Sequence, residues 1–318
     1  MGRVREILDA FPFDEPEVVL EREESLLLKP AEMRGGSPRK PPDPIEAIYY
    51  NPVYVPKPFS PPKYVFQNDD ARIEWQDMNG RQPFYHRNLD VDELSYQVTG
   101  PRQLVTELGS LDLVPGDFVK IPVGVAHDNW GREDIHLLFY INAPVDDQLP
   151  SLRQSEPHTF KDWEPAEVTE MLTSKLGGAM QRSDEKLLVD HIHSDTRRLH
   201  LMRADSTTWV WKGATIWIGN TVLAPSNGTE YRRHRNVEEI QYQISGERTL
   251  VTQLGTLELK AGDFVKIPCG CAFTNINADP VTYLSMVSTV PLQRVAEPTQ
   301  QGTPRSVEDL DKLRAVAA

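Results

Sequence analysis

A chain of 318 residues, 39% hydrophobic and 25% charged, has the length of two globular domains and the composition of an ordinary water-soluble protein. Its formal net charge of -13 opposes binding to nucleic-acid phosphates or an anionic membrane surface, since both need a basic face. No apolar run approaches the length of a membrane span, so neither nucleic acid nor membrane is an expected partner.

The opening segment, MGRVREILDAFPFDEP, lacks the apolar core of a secretory signal, and Glu6 breaks the myristoylation pattern; a cytoplasmic location is the expectation. Residues 1–63 read as a short helix (Val4, Ile7, Leu8) followed by an extended arm, because ten prolines lie between Pro30 and Pro62. Such an arm is expected to cover a sheet edge or a neighbouring subunit, and a homo-oligomer is the expected assembly. Residues 64–160 carry short apolar runs such as FVKIP and IHLLFYI, separated by Gly, Pro and Asp about every ten residues, which is an all-β pattern. Residues 161–185 form the connection, with a helix expected over Asp162–Leu176 from the spacing of Val168, Met171, Leu172 and Leu176 before Gly177-Gly178. A second β unit covers 186–295. Within 296–318, Ser306 opens a short amphipathic helix with a Ser-x-x-Asp cap.

The two β units are copies. Glu93–Asn129 and Glu239–Asn275 lie 146 residues apart and are identical at 22 of 37 positions, so the chain contains an internal duplication. The differences are therefore informative, and the sharpest replaces His127 by Phe273. Arg102 and Arg248, Lys120 and Lys266, and Gln97 and Gln243 are kept in both copies, which assigns them to the fold. Cys269 and Cys271 replace Val123 and Val125 and read as small packing groups, being too close for an unstrained disulfide.

In the first copy, Gly116-x5-Pro122-x-Gly124-x2-His127 follows His86-Arg87-Asn88 and Glu93. These segments resemble the two signature motifs of the cupin superfamily. The resemblance implies an all-β bicupin: two jelly-roll barrels, a Pro-rich N-terminal arm and few helices. Alternation along a strand puts Glu93, Ser95 and Gln97 on one face, and one face of a small barrel lines its interior. Two imidazoles and a carboxylate meeting there match the facial triad that leaves positions open on Fe(II). His86, Glu93 and His127 are the candidate ligands and catalytic centre; Asn88, in place of the second histidine of a cupin His-x-His, is either a weak fourth ligand or a supporting group. The second copy retains His234 and Glu239 but has Arg232 and Phe273 at the other positions, which makes it a structural half or a pocket with Arg232 as an anion clamp. Asp190-His191-Ile192-His193 lacks a third ligand at cupin spacing and reads as a surface strand.

His86-Arg87-Asn88, echoed by His234-Arg235-Asn236, is also similar to the His-Arg-Asn-x3-Glu segment of homogentisate dioxygenase and to a segment of the large subunit of two-component hydroquinone dioxygenase. Here four residues separate Asn88 from Glu93 and two separate Asn236 from Glu239. A full ligand set in the N-terminal barrel is closer to gentisate-type bicupins. The resemblance implies a non-haem Fe(II) dioxygenase acting with O2 on a small hydroxylated aromatic substrate, for which Phe84, Tyr85 and Trp130 are candidate walls. Mn(II) or Zn(II) would suit the same ligands in an isomerase or decarboxylase that needs no O2. A non-catalytic small-molecule-binding cupin or oxygenase subunit is the third class.

Overall fold

The computed structural model describes residues 2–29, 42–82, 84–142, 144–157, 169–173, 181–183 and 196–317. As expected, the chain is almost wholly β, and the duplication of sequence is a duplication of register. In the first copy Val91–Thr99 runs antiparallel to both Phe118–Ile121 and His127–Asn142, placing Glu93 opposite Ile121 on one side and Tyr140 on the other. In the second, Glu238–Ser245 lies between Asp263–Ile267 and Val281–Ser288, with Glu239 opposite Ile267 and Val287. Shorter hairpins, Arg102–Thr106 with Gly109–Leu113 and Glu247–Thr252 with Gly255–Lys260, supply the opposing wall of each barrel. One difference is local: His127–Asn142 is a single strand bent at an irregularity between Gly131 and Asp134, where the second copy uses two strands, Phe273–Asn277 and Val281–Ser288.

The two barrels exchange strands reciprocally. Arg3–Asp9 pairs in parallel with Glu230–His234 of the second barrel, whereas Glu46–Tyr49 pairs antiparallel with Asp263–Ile267, and Val145–Asp147 antiparallel with Thr208–Gly213. In return, Thr169–Thr173 pairs in parallel with Phe84–Asn88, while His200–Met202 pairs antiparallel with Phe118–Ile121, and Gln293–Arg294 antiparallel with Lys63–Gln67. Pairing thus crosses the sequence divisions at 63/64 and 185/186. The turn at Gly262 marks one crossing, since its φ is +99 and a Cβ there would collide with the Tyr50 carbonyl at the end of the arm strand.

Two expected helices are corrected. Residues 3–9 form a strand with Val4, Glu6 and Ile7 buried, because a single apolar turn cannot nucleate a helix while the open edge at Glu230–His234 offers backbone partners. Thr169–Thr173, inside the helix expected over 162–176, is likewise a strand added to an edge; the rest of that segment, Gly177-Gly178 and His191-Ile192-His193 lie outside the described residues. The C-terminal helix forms as expected over Val307–Ala317. The Asp309 amide donates to Ser306 Oγ at 3.2 Å, and Leu310 buries against Val4, Leu27 and Tyr231. None of the helices among the described residues is long and apolar enough to cross a membrane.

One hydrophobic cluster runs through both barrels, joining Leu94, Phe118 and Phe139 of the first to Trp211, Tyr242 and Phe264 of the second. Cys271 belongs to a smaller core with Val265 and Phe273, as the packing reading requires, whereas Cys269 is exposed. The duplicated arginines act alike. Arg102 donates to Gln97 Oε1 at 3.0 Å, to Asn129 Oδ1 at 3.1 Å and to Ser95 Oγ; Arg248 donates to Gln243 Oε1 at 2.8 Å, Asn275 Oδ1 at 2.6 Å and Gln241 Oε1 at 2.7 Å. The lysines tether the chain where it leaves each barrel, Lys120 Nζ donating to the Val145 carbonyl at 2.5 Å and Lys266 Nζ to that of Leu292 at 2.7 Å. Because removing such a buried hub strands several polar partners, Arg102→Met and Arg248→Met should each lose roughly 3–5 kcal/mol in chemical denaturation. A loss below about 1 kcal/mol would remove the fold role assigned to them.

Candidate metal centre

Two motifs distant in sequence meet through a turn. Pro122-Val123-Gly124 folds tightly, with the Val125 amide donating to the Pro122 carbonyl at 3.1 Å, and the Gly124 amide donates to the Asn88 carbonyl at 2.8 Å. Arg87 Nη1 donates to the Gly124 carbonyl at 2.7 Å and reaches Glu107 at 3.3 Å, clamping the same turn. His86 then lies directly across from His127 in the strand pairing. Glu93 enters from the neighbouring strand Val91–Thr99, buried from Val91 to Val98.

His86, Glu93 and His127 converge, their donor atoms all lying within 4.8 Å of one another. His86 Nε2 and His127 Nε2 are 2.6 Å apart, and Glu93 Oε2 is 3.1 Å from the His127 nitrogen and 3.6 Å from that of His86. Ligands in adjacent positions about one transition ion, with bonds of about 2.1 Å, would place the nitrogens about 3 Å apart, so a shift of a few tenths of an ångström suffices. His127 Nδ1 lies 3.1 Å from the Val125 carbonyl; the ring donates there, which turns the Nε2 lone pair toward Glu93. Gln82 holds the outer nitrogen of His86 at 3.0 Å. Asn88 Nδ2 donates to Glu93 Oε2 at 2.7 Å, which places its amide beside the carboxylate.

The electrostatics suit a cation. Burial opposes ionisation of Glu93, yet the imidazoles of His127 and His86 hold its carboxyl well below the ordinary range. Burial also opposes protonation of His127, but the Glu93 carboxylate outweighs it and raises that imidazole's pKa. His86 goes the other way, lowered by burial and then by its partner ring. Functional sites and structural ion-pair networks both produce such clusters of buried groups with opposed shifts.

The second barrel repeats the frame without the ligands. Its Gly270 amide donates to the His234 carbonyl at 2.9 Å, and Arg232 pairs across from Phe273 as His86 does from His127. His234 Nε2 lies 2.9 Å from Glu239 Oε2, repeating the Asn88–Glu93 contact. Two sequence expectations change here. Arg233, not Arg235, is the counterpart of Arg87, since it donates to the Gly270 carbonyl; His234-Arg235-Asn236 is therefore two residues out of register with His86-Arg87-Asn88. Arg235 and Asn236 instead hold the N-terminal segment at Glu15 and Phe11. Arg232 is not a free anion clamp, because it is paired with Asp9 at 2.9 Å and Glu17 at 3.1 Å.

Trp130 sits half-buried under Arg132, three residues from His127 along the same strand, while the side chains of Phe84 and Tyr85 lie outside the described residues. A residue that the motifs did not flag is His136. It faces the same interior four residues before Tyr140 along the strand, with Nδ1 2.8 Å from Asp134 and a buried Nε2 that has no hydrogen-bond partner. Alternation along IHLLFYI was the only signal for it, because the second copy has Tyr283 at that place.

No family model and no curated sequence matches the chain. Among solved structures, the fold is similar to a cupin 2 conserved barrel domain protein from Leptotrichia buccalis, with a TM-score of 0.50 and 8% identity over 77% of this chain and 97% of that one. AerE from Microcystis aeruginosa matches with a TM-score of 0.45 and 11% identity over 77% and 97% of the two chains. Oxalate decarboxylase from Bacillus subtilis matches with a TM-score of 0.44 and 13% identity over 79% of each. The likeness is one of fold: the chain carries the cupin barrel twice.

Proposed function

We propose that the first barrel holds one divalent transition metal, Fe(II), through His86, Glu93 and His127, and that the chain uses it with O2 to cleave or oxygenate a hydroxylated aromatic compound. The observation that carries this reading is the convergence of two imidazole Nε2 atoms and one ionised carboxylate in a buried cluster. The donor set fits such an ion, because two ring nitrogens 2.6 Å apart beside a carboxylate share one point of attraction for a cation. Fe(II) held there would supply a Lewis acid able to bind a phenolate and O2.

The chain's own residues set the conditions. Glu93 offsets part of the metal charge, and Asn88 fixes its carboxylate by donating to it. His127 and Glu93 are almost wholly buried while the His86 side chain keeps 13% exposure, so the open side of the cluster faces out past His86.

A second reading, a lyase or isomerase that needs no O2, draws support from Glu74. Burial pushes its carboxyl up to about 7 despite its ion pair with Arg72 at 2.5 Å, giving a buried acid that can store a proton near neutrality. Oxygen consumption separates the two. Protein loaded anaerobically with Fe(II) should bind nitric oxide and give an electron paramagnetic resonance signal that changes when the correct phenol is added. It should also consume O2 with a member of a panel of catechols, hydroquinones, gentisate and homogentisate. Absence of both would end the dioxygenase reading and leave the lyase or isomerase and the non-catalytic binding protein.

A further inference from the structure

The second barrel, whose described residues form no three-donor metal cluster, holds an open pocket of about 440 Å3. Comparing registers explains the space. Where the inner face of the first barrel carries Glu74, Gln76, Leu138 and Tyr140, the second carries Gly219, Thr221, Ser285 and Val287. These four replacements remove more volume than Tyr283 adds in place of His136, and a pocket of this size suits a small organic molecule.

Its walls are aromatic and acidic. Phe13 stacks on Trp209 with ring centroids 5.7 Å apart and planes 5° from parallel, and Phe273 and Tyr283 line the interior. Phe13 is delivered by a backbone held at φ +67, a conformation that costs a non-glycine residue of order 1–3 kcal/mol. Five carboxylates, Asp9, Glu15, Glu17, Glu230 and Glu239, line the pocket; Arg232 pairs with Asp9 and Glu17, Arg235 with Glu15 and Arg5 with Glu230, which leaves carboxylates in excess over these three guanidinium groups. An anion entering would meet that excess, and the one guanidinium in the lining is already paired.

The deepest polar group points to a donor on the ligand. Glu239 accepts from Ser285 Oγ at 2.6 Å, from Gln241 Nε2 at 3.0 Å and from His234 Nε2 at 2.9 Å. The other ring nitrogen of His234, Nδ1, is buried without a hydrogen-bond partner in a residue only 8% exposed, and it lies 3.8 Å from Asp9 Oδ2, which accepts from Arg232 Nη1 at 2.9 Å. A donor placed beside both would fill the open ring nitrogen and share the carboxylate.

We propose that the second barrel is a binding site for an organic cation with an aromatic or apolar body. An ammonium group donates to Asp9 Oδ2 and His234 Nδ1, and the body lies against Phe13, Trp209, Phe273 and Tyr283, whose faces attract a cation. The site is independent of the metal chemistry of the first barrel.

Phenethylammonium, phenylacetate and 2-phenylethanol, equal in size and different in charge, test it by calorimetry and by quenching of tryptophan fluorescence in the full chain. Phenethylammonium should bind saturably and at least about ten-fold more tightly than the other two. His127→Phe, which removes the proposed metal centre, should leave this affinity unchanged, so failure there and failure here are distinct. Ser285→Leu puts into the cavity the residue that the first barrel carries at the same register, and it should weaken binding at least about ten-fold in protein of wild-type melting temperature. The proposal is overturned if no saturable binding of phenethylammonium occurs, if phenylacetate or 2-phenylethanol binds as tightly, or if Ser285→Leu protein binds as before.

Discussion

His127→Phe protein should retain no tightly held metal after gel filtration, whereas His234→Ala protein should keep the one equivalent per chain expected of the wild type. The first substitution removes one of three converging donors and leaves His86 and Glu93, which cannot enclose an ion from one face. Phenylalanine is the informative choice because Phe273 occupies the same register position in the second barrel with the surrounding turn intact. A loss of metal without a loss of folding is therefore expected. His234 faces Glu239 through one ring nitrogen and Asp9 through the other, and among the described residues these three do not form a cluster of mutually close donor atoms, so its removal should not change the stoichiometry. Asn88→Ala should fall between, lowering affinity by about 10–100-fold, because it orients Glu93 without adding a ligand in this arrangement. Elemental analysis of the purified variants reads all three. Two equivalents in the wild type, or a full equivalent in His127→Phe protein, would remove the single-site assignment.

A fragment ending at Gly178 should fail to fold, although it contains the whole first repeat and every proposed ligand. The exchanged strands are the reason. The fragment loses His200–Met202 from the edge of Phe118–Ile121 and Gln293–Arg294 from the edge of Lys63–Gln67, while its own Arg3–Asp9, Glu46–Tyr49 and Val145–Asp147 lose the sheet they complete. It also loses Trp211, Tyr242 and Phe264 from the shared core. Three such side chains contribute roughly 1.5–3 kcal/mol each, which already approaches the total stability of an ordinary domain. Open edges and an exposed apolar face together favour aggregation. Insolubility on expression, or a soluble but unstructured fragment by circular dichroism, is the expected result; a folded, monomeric, metal-loaded fragment would contradict it.

Much of this was legible in residues alone. The period of short apolar runs and turn glycines implied an all-β chain, and the duplication implied two similar barrels, because strand registers follow alternation that is written locally. His86, Glu93 and His127 meet as their motifs implied, and the shared roles of Arg102 and Arg248 followed from their survival in both copies while the ligand positions diverged. The C-terminal helix was legible for the same local reason, a cap followed by an amphipathic turn.

What escaped the sequence was decided by partners distant along the chain. Nothing within residues 3–9 says that they lie beside Glu230–His234, since an edge strand takes its hydrogen bonds from whatever edge is offered. The same pairing brings Asp9 and Glu17 onto Arg232 and so turns an apparent anion site into a neutralised one. The counterpart of Arg87 was hidden because one-dimensional similarity favoured His234-Arg235-Asn236, while the carbonyl of Gly270 in space selects Arg233. Alternation determined which residues face inward; only the folded registers, setting Gly219 and Ser285 against the places of Glu74 and Leu138, decided that one barrel is filled and the other open.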